Sequence, residues 1–140
     1  MYDAVVIGSG PGGYSCAERI AELGGKVAIV EQDKLGGVCT NHGCIPTKTL
    51  YATATLFSEI LAAGRQGINI NSASIDFSFV MARKTRVSGI ISLGVKKLLN
   101  DKNVDIIYGK ALIKDRNTVA VSDREFKTKN IVIATGARPA

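Results

Sequence analysis

One turn constrains this chain more than any other feature: Gly8-Ser9-Gly10-Pro11-Gly12-Gly13. Ahead of it stands a continuous apolar run, Ala4-Val5-Val6-Ile7, so Tyr2 to Ile7 reads as a short buried strand that stops at glycine. Behind it, Tyr14 to Leu23 is helical in pattern, and Gly24-Gly25 ends the helix. Lys26 to Val30 is a second apolar strand, with Glu31 at its end. Strand, glycine turn, helix and strand make a βαβ unit of about thirty residues. Such a unit needs a parallel sheet with a helix against its face, which commits the chain to an α/β fold.

The glycine spacing carries chemistry. In Gly8-x-Gly10-x-x-Gly13 the first glycine permits the tight turn. The second lets a pyrophosphate approach the backbone without a Cβ in the way, and the third allows close helix–strand packing. The helix N-terminus then offers free N–H groups and partial positive charge to phosphates. Glu31 lies 18 residues beyond Gly13, where a carboxylate can accept hydrogen bonds from an adenosine ribose. A glycine turn without a ligand is the weaker reading in this full context. The motif alone does not separate FAD from NAD.

Further along, Gln32 to Gly43 reads as a glycine-rich loop. Cys44 to about Ala63 is helical, with Leu50, Phe57, Ile60 and Leu61 on one face. Arg65 to Ser74 is irregular. Asp76 is a candidate N-cap for a long helix to about Asn100, whose apolar face would hold Val80, Val87, Ile91 and Leu98. Val104 to Ile113 is strand-like. Turn signals at Asp115-Arg116-Asn117 and Asp123-Arg124-Glu125 then separate alternating segments around Val119, Val121, Phe126 and Thr128, an antiparallel meander. Ile131 to Ala134 is a last buried strand, ended by Thr135-Gly136, and no closing helix follows, so the ending reads as a cut.

Composition narrows the class. A chain of 140 residues is one domain and can bury a real core. Collagen, low complexity and disorder are excluded, and three cysteines are too few for a disulfide scaffold. The net charge of +6 is scattered. Its densest cluster, Arg83-Lys84-Thr85-Arg86, lacks aromatic neighbours for base stacking, so no nucleic acid is expected. No stretch approaches a membrane span, and no secretory signal is visible, so the expectation is a soluble cytoplasmic protein.

Cys39 and Cys44 bracket Thr40-Asn41-His42-Gly43. A close pair in a cytosolic chain suggests redox or metal chemistry before structural bridging. Zinc is the weaker choice because only His42 stands near as a further ligand, and no metal is expected. Two inert buried thiols are also possible. The redox reading has a mechanism. Cys44 would sit in the first turn of its helix, with Pro46 at an early helical position, and the helix N-terminus stabilises a thiolate. Cys39, further out, would be free to exchange with a disulfide. Cys16 is expected as a small core residue, and Tyr14 and Tyr51 as packing residues.

The string Leu35-Gly36-Gly37-Val38-Cys39-Thr40-Asn41-His42-Gly43-Cys44-Ile45-Pro46-Thr47-Lys48 closely resembles the active-site signature of the FAD-dependent pyridine nucleotide-disulfide oxidoreductases. Within that family it is most similar to the dihydrolipoamide-oxidising branch. The glycine turn, Asp76-Phe77, Arg83-Lys84, Gly109-Lys110 and Ala134-Thr135-Gly136 are similar too, so the resemblance covers the whole chain. It implies a three-layer, Rossmann-like FAD-binding α/β domain over residues 1–140, with a central parallel sheet, helices on one face and a small antiparallel β-meander on the other. FAD would meet Gly8, Gly10, Pro11, Gly12 and Gly13 at its pyrophosphate and Glu31 at its adenosine ribose. Gly36, Gly37 and Cys39 would lie along the cofactor, Gly109 beside adenine, and Thr135 and Gly136 at a second contact.

The resemblance also implies roles in catalysis. Cys39 would be the interchange thiol, Cys44 the thiol beside the flavin, and Lys48 a positive charge next to the ring. Electrons would pass from dihydrolipoamide, free or on a lipoyl domain, through the Cys39–Cys44 disulfide and FAD to NAD. The implied partners are 2-oxo acid dehydrogenase or glycine cleavage complexes, with a homodimeric parent. Two departures stand out. His42 occupies a loop position that is usually apolar in the family, and an exposed loop histidine is expected there rather than a base. The NAD-binding and interface domains are absent from these residues, as is the segment that completes the FAD site, so the 140 residues alone are expected to be inactive. A glutathione- or mercuric reductase-like member, or a stand-alone nucleotide-binding or thiol-redox module, remain the alternatives.

Overall fold

The computed structural model describes residues 1–137. Strand β1 (Tyr2–Ile7) runs into helix α1 (Pro11–Glu22), and β2 (Val27–Glu31) follows. The glycine turn therefore enters its helix at Pro11, earlier than the apolar pattern suggests. Pro11 has the fixed φ that suits the first helical position, and Gly10 caps it in extended conformation. A five-residue helix α2 (Gly37–Asn41) occupies what reads as loop, because so short a helix has no periodicity to detect. Helix α3 (Cys44–Ala62), a 3-10 turn (Ala63–Gln66) and helix α4 (Phe77–Asp101) complete the helical side. Asp76 caps α4 as expected, its carboxylate accepting the Phe79 N–H at 2.9 Å.

Strands β3 (Asp105–Tyr108), β4 (Ala111–Asp115), β5 (Thr118–Val121) and β6 (Arg124–Ile133) follow. All six strands form one sheet of order β3-β2-β1-β6-β5-β4. The expected strand Val104–Ile113 is divided at Gly109, whose φ of +143° turns the chain from the parallel β3 into the antiparallel β4. Conversely, the expected Phe126 segment and the last strand are one strand. β6 pairs antiparallel with β5 from Arg124 to Lys127 and parallel with β1 from Thr128 to Ile133.

Two apolar clusters sandwich the parallel strands, which confirms the three layers. On the helical face Val6, Ile29 and Val27 meet Ala17, Val95 and Leu99. On the other face Val5, Ala28 and Val30 meet Val119, Val121 and Phe126 of the meander. Strands buried on both sides read as unbroken apolar runs, which is why Val27 to Val30 carries no polar residue. Fully burying a side chain such as Ile29 or Leu99 contributes roughly 1.5–3 kcal/mol.

Four expectations about packing need correction. The buried residues of α4 are Ser88, Val95 and Leu99, so the face is rotated from the expected one, and Ile91 is exposed. Several apolar residues on both sides of α4 leave the phase of the pattern ambiguous. On α3, Leu61 is exposed, while Pro46 and Thr49 are buried and Leu50, Phe57 and Ile60 are half-buried. Cys16 is half-buried against the helical-side core, and Tyr14 packs against the same core as expected. Tyr51 is exposed and packs little.

Candidate functional site

The site begins where the parallel strands end. At the end of β1, Gly8 has φ +101°, and a Cβ on it would lie 2.2 Å from the Ala134 carbonyl oxygen. A Cβ on Gly13 would lie 1.9 Å from the Gly8 carbonyl oxygen. Both positions are closed by backbone, so only glycine fits. Gly10 and Gly12 differ: a Cβ on either would meet nothing within 4 Å. The space beyond Gly10 belongs to an open groove of about 440 Å³ along the carboxyl edge of the sheet, which Gly12 does not line. Tyr14 donates the first bond of α1, to the Gly10 carbonyl at 3.0 Å. The N–H groups of Gly12 and Gly13 precede it and are left for an external acceptor.

Glu31 is held at the end of β2. Its carboxylate accepts the Ser9 N–H at 3.0 Å, the Ser9 hydroxyl at 2.5 Å and the Asp33 N–H at 2.9 Å. After Glu31 the chain folds back over the glycine turn. Gly36 donates to the Ser9 carbonyl at 3.0 Å, and a Cβ on Gly37 would stand 2.7 Å from the Gly10 Cα. The Asn41 amide donates to the Gly37 carbonyl at 2.9 Å and the Leu35 carbonyl at 3.1 Å. From α4, the Ser92 hydroxyl donates to the same Leu35 carbonyl at 2.8 Å. Cys39 thus rides on a helix clamped to both the glycine turn and α4.

The chain closes on itself before α3. Gly43 donates to the Val38 carbonyl at 2.7 Å, and Thr47 to the Gly43 carbonyl at 3.0 Å, so Cys44 opens the helix as expected. Pro46 is buried within this first turn. The Arg83 guanidinium reaches across from α4 to the Thr49 carbonyl at 3.3 Å and fastens α3 in place. Cys39 and Cys44 stand close enough for each thiol to act on the other's titration. The neighbouring Cys44 side chain is the first cause pushing the Cys39 thiol up, and burial and the charge of a Cys44 thiolate act the same way. The Cys44 backbone N–H and the Lys48 ammonium pull in the opposite direction.

The groove brings Gly8, Gly10, Pro11, Glu31, Gly37 and Cys39 together with Gly109, Thr135 and Gly136. Gly13 and Gly36 pack against its walls at Gly8 and Ser9, and Gly12 lies outside its lining. Cys44 and Lys48 lie outside its lining, on the first turn of α3 beyond Cys39. Lys34 and Lys110 join the wall; Lys110 stood out in the sequence only as part of Gly109-Lys110, and Lys34 did not. His42 is exposed, as expected, with its Nε2 3.9 Å from an Asp33 carboxylate oxygen. Among the described residues no cluster of His, Cys, Asp or Glu could hold a metal ion.

A dinucleotide fits this arrangement on the structure's own terms: open space over two glycines, free N–H groups at a helix N-terminus, and a buried carboxylate facing the same groove. Comparison with known proteins agrees. Residues 2–140 match the family model described as "Pyridine nucleotide-disulphide oxidoreductase". The chain belongs to this family.

Family membership and the flavoprotein neighbours imply FAD as the dinucleotide. The chain is 40% identical over 137 residues to the dihydrolipoyl dehydrogenase of Acholeplasma laidlawii, covering 97% of this chain and 41% of that protein. It is 43% identical over 141 residues to the Staphylococcus aureus dihydrolipoyl dehydrogenase, covering 98% of this chain and 30% of that one. Among solved structures it resembles the HOCl-induced flavoprotein disulfide reductase RclA from Escherichia coli. The TM-score is 0.83 at 32% identity, covering 99% of this chain and 29% of that one. The chain therefore spans well under half the length of these relatives.

Proposed function

We propose that this chain forms the flavin- and disulfide-bearing part of an enzyme that oxidises dihydrolipoamide and reduces NAD. The observation that carries the reading is the contact of Cys39 and Cys44 at the end of a dinucleotide groove, with the Lys48 ammonium close by. Gly8, Gly10, Pro11, Gly12 and Gly13 would surround the diphosphate. Glu31 would hold the adenosine ribose, Gly36 and Gly37 the passage to the flavin, Gly109 the adenine, and Thr135 and Gly136 the second contact. When bound, FAD supplies a two-electron acceptor that passes reducing equivalents on to NAD.

The residues of the chain perform the thiol–disulfide exchange. In the oxidised pair, a substrate thiolate attacks the Cys39 sulfur. The Cys39–Cys44 bond breaks, a mixed disulfide forms on Cys39, and Cys44 leaves as thiolate. The second substrate thiol then attacks its own sulfur in that mixed disulfide and releases Cys39. The substrate leaves as a cyclic disulfide, and the cysteine pair has gained two electrons. The Lys48 cation and the N-terminus of α3 favour negative charge at Cys44.

The whole protein would act as a homodimer in the cytoplasm, on lipoyl domains of 2-oxo acid dehydrogenase or glycine cleavage complexes. Among the described residues no helix is long and apolar enough to cross a membrane. The described residues present one dinucleotide groove, so the 140 residues alone would not turn over NAD. The Cys44→Ser variant tests the exchange. Treated with lipoamide, it should trap a mixed disulfide on Cys39, seen by peptide mass mapping, and leave Cys16 unmodified. Label on Cys16 alone, or none, would overturn the assignment. Similarity to RclA, a disulfide reductase by its own description, supports a second reading in which another disulfide is the substrate. Rates of the complete protein with dihydrolipoamide and glutathione would separate the two.

A further inference from the structure

We infer that Ser9 is a positioning residue for the adenosine end of the dinucleotide site, and that it leaves Glu31 a single free acceptor position for the ribose. The inference rests on the FAD reading above. Ser9 is the variable residue inside the glycine turn, and the fingerprint assigns it no task. In the structure it is fully buried, at 0% exposure, and its backbone carbonyl also accepts the Gly36 N–H. Its N–H and its hydroxyl both donate to one oxygen of Glu31, Oε2, at 3.0 and 2.5 Å. The Asp33 N–H occupies Oε1 at 2.9 Å.

A carboxylate offers about four lone-pair positions. Three are taken, and both positions on Oε2 are filled by Ser9. What remains is one position on Oε1, the oxygen already fixed by Asp33. Glu31 is itself 8% exposed, so its rotamer is set by these donors and not by solvent. Without the serine hydroxyl the carboxylate loses its shortest partner, and the ligand must order it on binding. Ser9 borders the groove, but both of its donors are committed to Glu31. It fixes the acceptor before the ligand arrives.

The test is fluorescence-detected equilibrium titration of the complete apoprotein with FAD, and calorimetric titration with ADP and FMN. ADP carries the adenosine ribose and FMN does not. Ser9→Ala should weaken FAD and ADP about tenfold, the scale of one hydrogen bond to a charged group, and leave FMN unchanged. A merely structural role would weaken all three alike. Glu31→Gln should remove most of the effect of Ser9→Ala, so that the double variant binds about as weakly as Glu31→Gln alone. Ser9→Cys, close in volume with only a weak donor, should behave like Ser9→Ala and serves if the alanine variant does not fold. Unchanged FAD affinity in the Ser9 variants, equal loss for FMN, or additive losses in the double variant would each overturn the inference. A complete wild-type apoprotein that binds neither FAD nor ADP would instead overturn the FAD reading, and the inference with it.

Discussion

The glycine turn and the α3–α4 helix pair sit side by side and are built on opposite rules. Around the turn, backbone touches backbone. Gly13 lies under the Gly8 carbonyl, Gly8 under Ala134, and Gly37 against the Gly10 Cα. In α3 and α4, contact runs through side chains, and many large apolar ones, Leu56, Leu61, Phe77, Phe79 and Leu93 among them, stand exposed. A site that must hold a diphosphate needs peptide groups in fixed places. A helix pair that carries a cysteine into position needs only a few anchors, here Arg83 and Ser92.

The largest break in that contrast comes at Gly13. Gly13→Val should destabilise by about 3 kcal/mol, because the clash is with backbone that cannot swing away, and thermal denaturation would read it. Gly10→Ala should leave the melting temperature within the range of an ordinary surface change yet weaken FAD, since its Cβ enters open groove. Equal melting temperatures for the two variants would end the argument from backbone contact. Next, Leu99→Ala should cost about 3 kcal/mol, as a fully buried leucine. Leu93→Ala, 67% exposed and earlier on the same helix, should cost within about 0.5 kcal/mol. Chemical denaturation compares them directly.

Smaller effects sharpen the cysteine end. The raised Cys39 thiol yields less thiolate at a given pH, and the thiolate is what reacts. Cys44→Ala removes the leading cause, so the midpoint of Cys39 alkylation should move to lower pH. A midpoint that stays put or rises would contradict the contact. The smallest effect lies on the surface. Lys102 first, then Arg19, hold the Glu22 carboxyl below its ordinary range. A depressed carboxylate stabilises above its unfolded value and loses that contribution as pH falls through the folded one. Glu22 is solvent-exposed, so NMR titration is the readout, and Lys102→Ala should shift it upward.

The sequence disclosed the parts whose rule is local. The βαβ unit, the Asp76 cap and the start of α3 each depend on neighbours within a few residues. Glu31 was legible because the fingerprint fixes its spacing from the turn. Ser9, Asn41, Ser92 and Arg83 were not, because their partners are small polar groups or carbonyls; those of Ser9, Ser92 and Arg83 lie 22, 57 and 34 residues away. β6 was divided in two by its polar middle, Lys127 to Asn130. Its surroundings change there, from a meander with one wet face to the interior of the sheet. A strand that changes partners midway has no single period to read.

That exchange of partners has a consequence for the order of assembly. β1, made before the other strands described, lies in the middle of the sheet between β2 and β6, and its contacts with β6 join segments more than 120 residues apart. A nascent chain can pair β1 with β2 early, because only the short α1 crossover separates them. The other edge of β1 must wait until some hundred further residues have left the ribosome, and long-range closure of this kind is slow. Through that interval the nascent chain presents a bare apolar strand edge, open to mispairing.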